Sequence, residues 1–120
     1  MGDCYILVVD DSLDNLLFME CFLKAEGYQV AIAQNGTAAL AQVAASPPNL
    51  ILLDLMMPEM NGLEVSERIR QHDEYFDIPI LLVTAHGEVV LGQALPTGIN
   101  GVLSKPVDFD ELLETVQAFC

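Results

Sequence analysis

Apolar residues fall along this chain in five short runs, each closed by polar or turn-forming positions, with stretches of helical spacing between them. A short unbroken apolar run suits a strand buried on both faces of a parallel sheet, whereas recurrence every three or four positions marks an amphipathic helix. Tyr5 to Val9 is the first run. It ends in Asp10 and Asp11, and Ser12 offers a side-chain oxygen to cap a helix to about Glu26, which Gly27 stops. Gln29 to Ala33 is the second strand, and Asn35-Gly36 turns the chain into an alanine-rich helix that Ser46-Pro47-Pro48 breaks after Ala45. Leu50 to Leu53 is the most uniformly apolar run and leads straight into Asp54. After the loop Leu55 to Met60, Asn61 caps a helix to about Arg70, with Glu64 as its capping-box partner.

Gln71 to Asp77 is a polar loop, and Ile80 to Val83 is a fourth strand ending at Thr84. His86 to Pro96 predicts a short, frayed helix, because Gly87 and Gly92 weaken it and Pro96 ends it. Gly101 to Leu103 is a brief fifth strand and Ser104-Lys105-Pro106 a turn. Asp108 then begins a last helix, paired with Glu111 in capping-box fashion, with Phe109, Leu112, Leu113 and Val116 on one face. This alternation predicts an α/β fold: a doubly wound five-stranded parallel sheet, order 2-1-3-4-5, with five helices. Ligands bind such sheets at the carboxyl ends of the strands, beside the switch point. That edge would collect Asp10, Asp11, Asp54, Thr84 and Lys105.

Composition narrows the picture. At 120 residues and 52% hydrophobic, the chain is expected to form a single domain, residues 1–120, around one core. No apolar run approaches a membrane span, and the N-terminal MGDCYILVVDD has neither a basic segment nor a cleavage-like site, so a soluble cytoplasmic protein is expected. The 18 acidic residues against 4 basic ones, net charge −14, oppose direct binding to nucleic acid or anionic membranes and favour a basic partner or a bound cation. Cys4, Cys21 and Cys120 are odd in number and match no metal spacing. They read as reduced, structural thiols.

Charge also defines the chemistry. Three carboxylates crowded together repel, and a hard divalent cation, Mg²⁺ with some of its waters, offsets them. Asp11 and Asp54 are the expected direct ligands, Asp10 acts partly through water, and the Met56 backbone carbonyl supplies another oxygen. Asp54 then has the character of a nucleophile toward phosphorus, giving an acyl phosphate. Lys105 by charge and Thr84 by its hydroxyl would hold the phosphoryl oxygens. Each residue alone has an ordinary reading as a helix-capping acid, a strand-end threonine or a solvated lysine. The set in register carries the inference.

These residues resemble a family. The paired acids of VVDDS, Asp54 in LLDLMMPEMNG, the hydroxyl of LLVTAH and the Lys-Pro of LSKP match, in order and approximate spacing, the receiver domain of two-component response regulators, a CheY-like and flavodoxin-like fold. The resemblance implies that Asp54 accepts a phosphoryl group from a histidine kinase or a histidine phosphotransfer protein. It implies that Asp10, Asp11 and Asp54 hold Mg²⁺, that Thr84 reorients toward the phosphoryl group, that Lys105 binds it, and that the Lys105–Pro106 bond is cis. Such a domain catalyses its own phosphotransfer and dephosphorylation without being a conventional enzyme.

Two features depart from the family pattern. Val102 stands where an aromatic usually precedes the lysine by three positions, and the segment 86–96 carries almost no charge. They support an alternative, a pseudo-receiver acting as a phosphorylation-independent interaction module. A Mg²⁺-dependent phosphohydrolase would want a second acid where Met56 stands. The first helix, LLFMECFL from Leu16 to Leu23, has more apolar residues than one buried face needs, which leaves surface for a partner or a homodimer. Since Cys120 directly follows the last helix, no effector domain is expected in this chain.

Overall fold

The computed structural model describes residues 4–75, 77–85 and 98–120. Five strands, β1 (Tyr5–Val9), β2 (Gln29–Ala33), β3 (Leu50–Asp54), β4 (Ile80–Thr84) and β5 (Gly101–Ser104), form one sheet. All neighbours are parallel, in the order β2-β1-β3-β4-β5, as the apolar runs predict. The helices among the described residues are α1 (Leu13–Ala25), α2 (Gly36–Ala45), α3 (Gly62–Arg70) and α4 (Phe109–Phe119). The helix expected over 86–96 lies outside the described residues.

Alternation along the strands splits the core in two. Ile6, Val8, Leu50, Leu52, Leu81 and Val83 face one side, where Leu16 and Leu23 of α1 and Leu112 and Val116 of α4 cover them. Leu7, Val9, Ile51, Leu53, Ile80 and Leu82 face the other, under Ala39 and Val43 of α2 and Val65 and Ile69 of α3. β3 and β4 are buried along their full length, which is why their sequences show unbroken apolar runs.

Local signals set the ends of the elements. Ser12, Asn35 and Asp108 cap their helices through side-chain oxygens, and Asn61 and Glu64 complete a reciprocal capping box. Gly27 follows α1 with φ +95°, the left-handed conformation that favours glycine at a helix end. Between β3 and α3 the loop doubles back tightly. Met60 N–H donates to the Pro58 carbonyl at 2.7 Å across Glu59, whose φ is 68°, the geometry of a γ-turn. Gly62 N–H then donates to the Leu55 carbonyl at 2.9 Å.

Arg70 ties the end of α3 to the starts of β4 and β5. Its guanidinium donates to the Ile78 carbonyl at 2.7 Å, to the Gly98 carbonyl at 2.7 and 3.0 Å, and to Asn100 Oδ1 at 3.0 Å. No helix among the described residues is long and apolar enough to cross a membrane.

The cysteines correct one expectation. Cys4 and Cys120 are not reduced thiols; they form a disulfide with Cα atoms 5.8 Å apart. Only Cys21, exposed on α1, is free. Spacing rules are blind to this pair because 116 residues separate its members. The parallel topology joins them: every strand begins at one edge of the sheet, and α4, running back against the strands, ends there.

Candidate functional site

At the opposite edge, Asp10 and Asp11 directly follow β1, Asp54 and Thr84 close β3 and β4, and Lys105 directly follows β5. Register sets their relative heights. Asp54 pairs with Val83, so Thr84 stands one residue further out, level with Ser104. The ladder continues one more step, with Lys105 N–H donating to the Thr84 carbonyl at 3.0 Å. The Lys105–Pro106 peptide is cis, as the resemblance implies.

One carboxylate oxygen from each of Asp10, Asp11 and Asp54 lies within 4.8 Å of the other two. Asp10 is 6% exposed and Asp54 4%, whereas Asp11 is open to solvent. Asp10 is the more fully bonded acid. Its Oδ1 accepts from Ser12 N–H at 2.9 Å, and its Oδ2 accepts from Lys105 Nζ at 2.9 Å and from Asn15 Nδ2 at 3.5 Å. Asp54 is held more loosely. Its Oδ1 takes a long bond of 3.4 Å from Met56 N–H, and its Oδ2 lies 3.5 Å from Lys105 Nζ.

Burial pushes the Asp54 carboxyl above the ordinary carboxylate range, and the negative charges of Asp10 and Asp11 push the same way. Lys105 and the Met56 N–H oppose them without prevailing. Burial also works against the Lys105 ammonium, but its hydrogen bond with Asp10 and the charges of Asp10 and Asp54 outweigh it and raise its pKa. Lys105 thus pairs with two of the three carboxylates and leaves the cluster net negative.

That deficit suits a hard divalent cation. Oxygens on one Mg²⁺ at about 2.1 Å lie about 3 Å apart when adjacent and about 4.2 Å when opposite. Three oxygens on one ion include at most one opposite pair, so oxygens that lie within 4.8 Å of one another would draw together by up to about 1.8 Å, a side-chain adjustment, to hold it. The donor set, oxygen alone, is also the one Mg²⁺ prefers.

All five residues expected at this edge therefore lie there. Thr84 is fully buried there. Met56 meets Asp54 through its N–H. Ser12 and Asn15 are additional members that the sequence reading missed. Ser12 was legible only as a cap, and Asn15, whose N–H donates to Ser12 Oγ at 3.4 Å, reaches Asp10 from the first turn of α1. Val102 is half-buried and packs against the core under α2 and α3, an ordinary strand residue. Beside the carboxylates opens a cavity of about 560 Å³, where Phe18, Met19, Val107 and Phe109 form apolar walls and Asp10 and Lys105 a polar end.

Known proteins resemble this chain. A family model for the response regulator receiver domain matches residues 6–117. The chain is 39% identical over 117 residues to the transcriptional regulatory protein ZraR of Salmonella typhimurium, covering 97% of this chain and 26% of that one. It is 38% identical over 116 residues to an uncharacterised 14.6 kDa protein of Leptolyngbya boryana, covering 96% and 88% respectively. The chain spans about a quarter of the length of several transcriptional regulators it matches. Among solved structures, the response regulator TrrA of Thermotoga maritima, in complex with Mg²⁺ and BeF, superposes with a TM-score of 0.86 at 32% identity, covering 100% of both chains.

Proposed function

The chain belongs to the response regulator receiver domain family, and from that premise we propose that it is the phosphoryl-accepting switch of a two-component phosphorelay, with Asp54 as acceptor. The observation that carries this reading is the pairing of a buried, loosely held Asp54 carboxylate with Lys105 Nζ at 3.5 Å, beside two further acids. A solvated or tightly bonded carboxylate would be a poorer nucleophile.

In the reaction, an Asp54 oxygen forms the new bond to phosphorus while the bond from phosphorus to the donor's nitrogen or oxygen breaks, and the leaving group departs toward solvent. Lys105 is close enough to transfer part of its interaction from Asp54 to the incoming phosphoryl oxygens. Thr84, one step further out, supplies a hydroxyl to the same oxygens. Asp10, Asp11 and Asp54, with the Met56 carbonyl, would hold Mg²⁺, which neutralises charge as the anionic donor approaches. Asp10 keeps its place through Ser12 and Asn15.

The donor is a histidine kinase or a histidine phosphotransfer protein in the cytoplasm, and the apolar walls of Phe18 and Phe109 give it a surface beside the acceptor. The same residues support hydrolysis of the acyl phosphate, so residues 1–120 act as one self-resetting receiver unit. Val102 favours an output route that does not use an aromatic swing. A pseudo-receiver is the second reading.

Intact-mass spectrometry after incubation with Mg²⁺ and acetyl phosphate tests the proposal. One phosphoryl adduct is expected, dependent on Mg²⁺, removed by hydroxylamine and absent in Asp54→Asn. If a known receiver is modified under the same conditions and this chain is not, the pseudo-receiver reading replaces it.

A further inference from the structure

The Cys4–Cys120 link lies at the far edge of the sheet from the carboxylates. Its 5.8 Å Cα separation falls within the usual range for a disulfide. Its two halves are held unequally. On the Cys4 side the sheet already fixes the backbone: Gln29 N–H donates to the Cys4 carbonyl at 3.2 Å, and Tyr5 and Asn49 exchange bonds of 2.7 and 2.8 Å. On the other side, Cys120 N–H donates to the Val116 carbonyl at 2.9 Å at the very end of α4.

Besides the link, that end of α4 is held by Val116, fully buried, and by Phe119, partly buried against the core. Only Leu112 and Val116 of the helix are fully buried, and its last turn carries no basic residue to complement the helix dipole. The covalent link therefore acts mainly on α4 and hardly on β1. An open cleft of about 700 Å³ borders it, lined by Tyr28, Asn49, Gln117 and Phe119 together with both cysteines. Cys120 is exposed and Cys4 half-buried, so attack is directed to the Cys120 sulfur.

We propose that Cys4 and Cys120 form a reversible thiol–disulfide exchange site, open to a small thiol of the glutathione class, that fastens and releases the C-terminal end of α4. In reduction, one small thiolate attacks Cys120 Sγ, forming a mixed disulfide and releasing Cys4 as thiolate. A second small thiolate attacks the small-thiol sulfur of that mixed disulfide, releasing Cys120 and leaving the small disulfide. Two electrons pass from the two small thiols to the protein, and their two protons end on Cys4 and Cys120. A small disulfide drives the reverse reaction. Because exchange occurs at the opposite edge from Asp54, it changes the anchoring of α4 without altering the carboxylate cluster.

The test equilibrates the whole chain in glutathione buffers of graded reduced-to-oxidised ratio, traps free thiols with iodoacetamide, and reads intact mass, melting temperature and amide hydrogen exchange. Cys4 and Cys120 are expected to become alkylated together in one two-electron step, with Cys21 alkylated throughout. The closed form should melt roughly 10–20 °C higher, as expected for so long a loop. Exchange at residues 116–120 should quicken several-fold on reduction while that of residues 5–9 stays constant. Cys4→Ser and Cys120→Ser should each abolish the redox dependence. Independent alkylation of the two cysteines overturns the proposal, as does a link that stays closed at the most reducing ratio or an oxidised product of twice the mass.

Discussion

Replacing Asp54 by Asn should stabilise the protein in the absence of divalent cations, because the carboxylate is held where its charge is costly. At an effective dielectric of about 20, Asp10 and Asp54 oxygens no more than 4.8 Å apart repel by at least about 3.5 kcal/mol, and Lys105 at 3.5 Å attracts Asp54 by about 4.7 kcal/mol. These nearly cancel, since 4.8 Å is the upper limit of the separation and Lys105 lies closer to Asp10, at 2.9 Å. Asp11 adds a smaller, solvent-screened repulsion. What remains is the desolvation of a carboxylate only 4% exposed. Asparagine removes that burden and keeps an oxygen for the Met56 N–H. A gain of about 1–2 kcal/mol, or about 3–10 °C in melting temperature for a chain of this size, is expected at pH 7 in EDTA. The pH dependence has a definite sign. Asp54's folded pKa is raised above its ordinary 3.8, so its penalty is full when it is ionised in both states, and fades as pH falls through the folded value. The advantage of Asp54→Asn should therefore shrink in acid and vanish below the unfolded pKa. Saturating Mg²⁺ should raise the wild-type melting temperature more than the variant's. Calorimetry in EDTA that finds the variant equal to or less stable than wild type at pH 7, or an advantage that persists unchanged at pH 3, refutes the reasoning.

Gly62→Ala should cost about 2 kcal/mol or more, because its Cβ would meet the Asp54 carbonyl and come within 3.0 Å of Leu55 Cα, backbone that cannot give way cheaply. Urea denaturation reads the loss, and an unchanged midpoint would show that the loop relaxes. Arg70→Lys should cost about 2 kcal/mol, since one ammonium cannot satisfy the Ile78 and Gly98 carbonyls and Asn100 in the planar fork that arginine offers. A lysine variant as stable as wild type in the same assay would show that charge alone suffices there.

Much of this molecule was legible in its sequence for physical reasons. Leu50 to Leu53 and Ile80 to Val83 are unbroken apolar runs because both faces of β3 and β4 are covered, and the polar residues that end them mark the one edge where water returns. Topology then did the rest, since one strand order brings Asp10, Asp54, Thr84 and Lys105 together. What stayed hidden depends on side chains choosing partners. Nothing in the residue pattern says that Lys105 favours Asp10 at 2.9 Å over Asp54 at 3.5 Å, or that Asn15 reaches back to Asp10. The disulfide stayed hidden because residue spacing is local, whereas the meeting of Cys4 and Cys120 requires the whole winding of the chain.

The doubling back of the chain between Pro58 and Met60 has a local cost. Glu59 holds a backbone angle of 68° that a side chain other than glycine's rarely accepts, so the turn stores local tension beside Asp54. Glycine is the residue that takes this angle without cost, so Glu59 marks a place where the chain accepts local strain in order to leave β3 in a fixed direction.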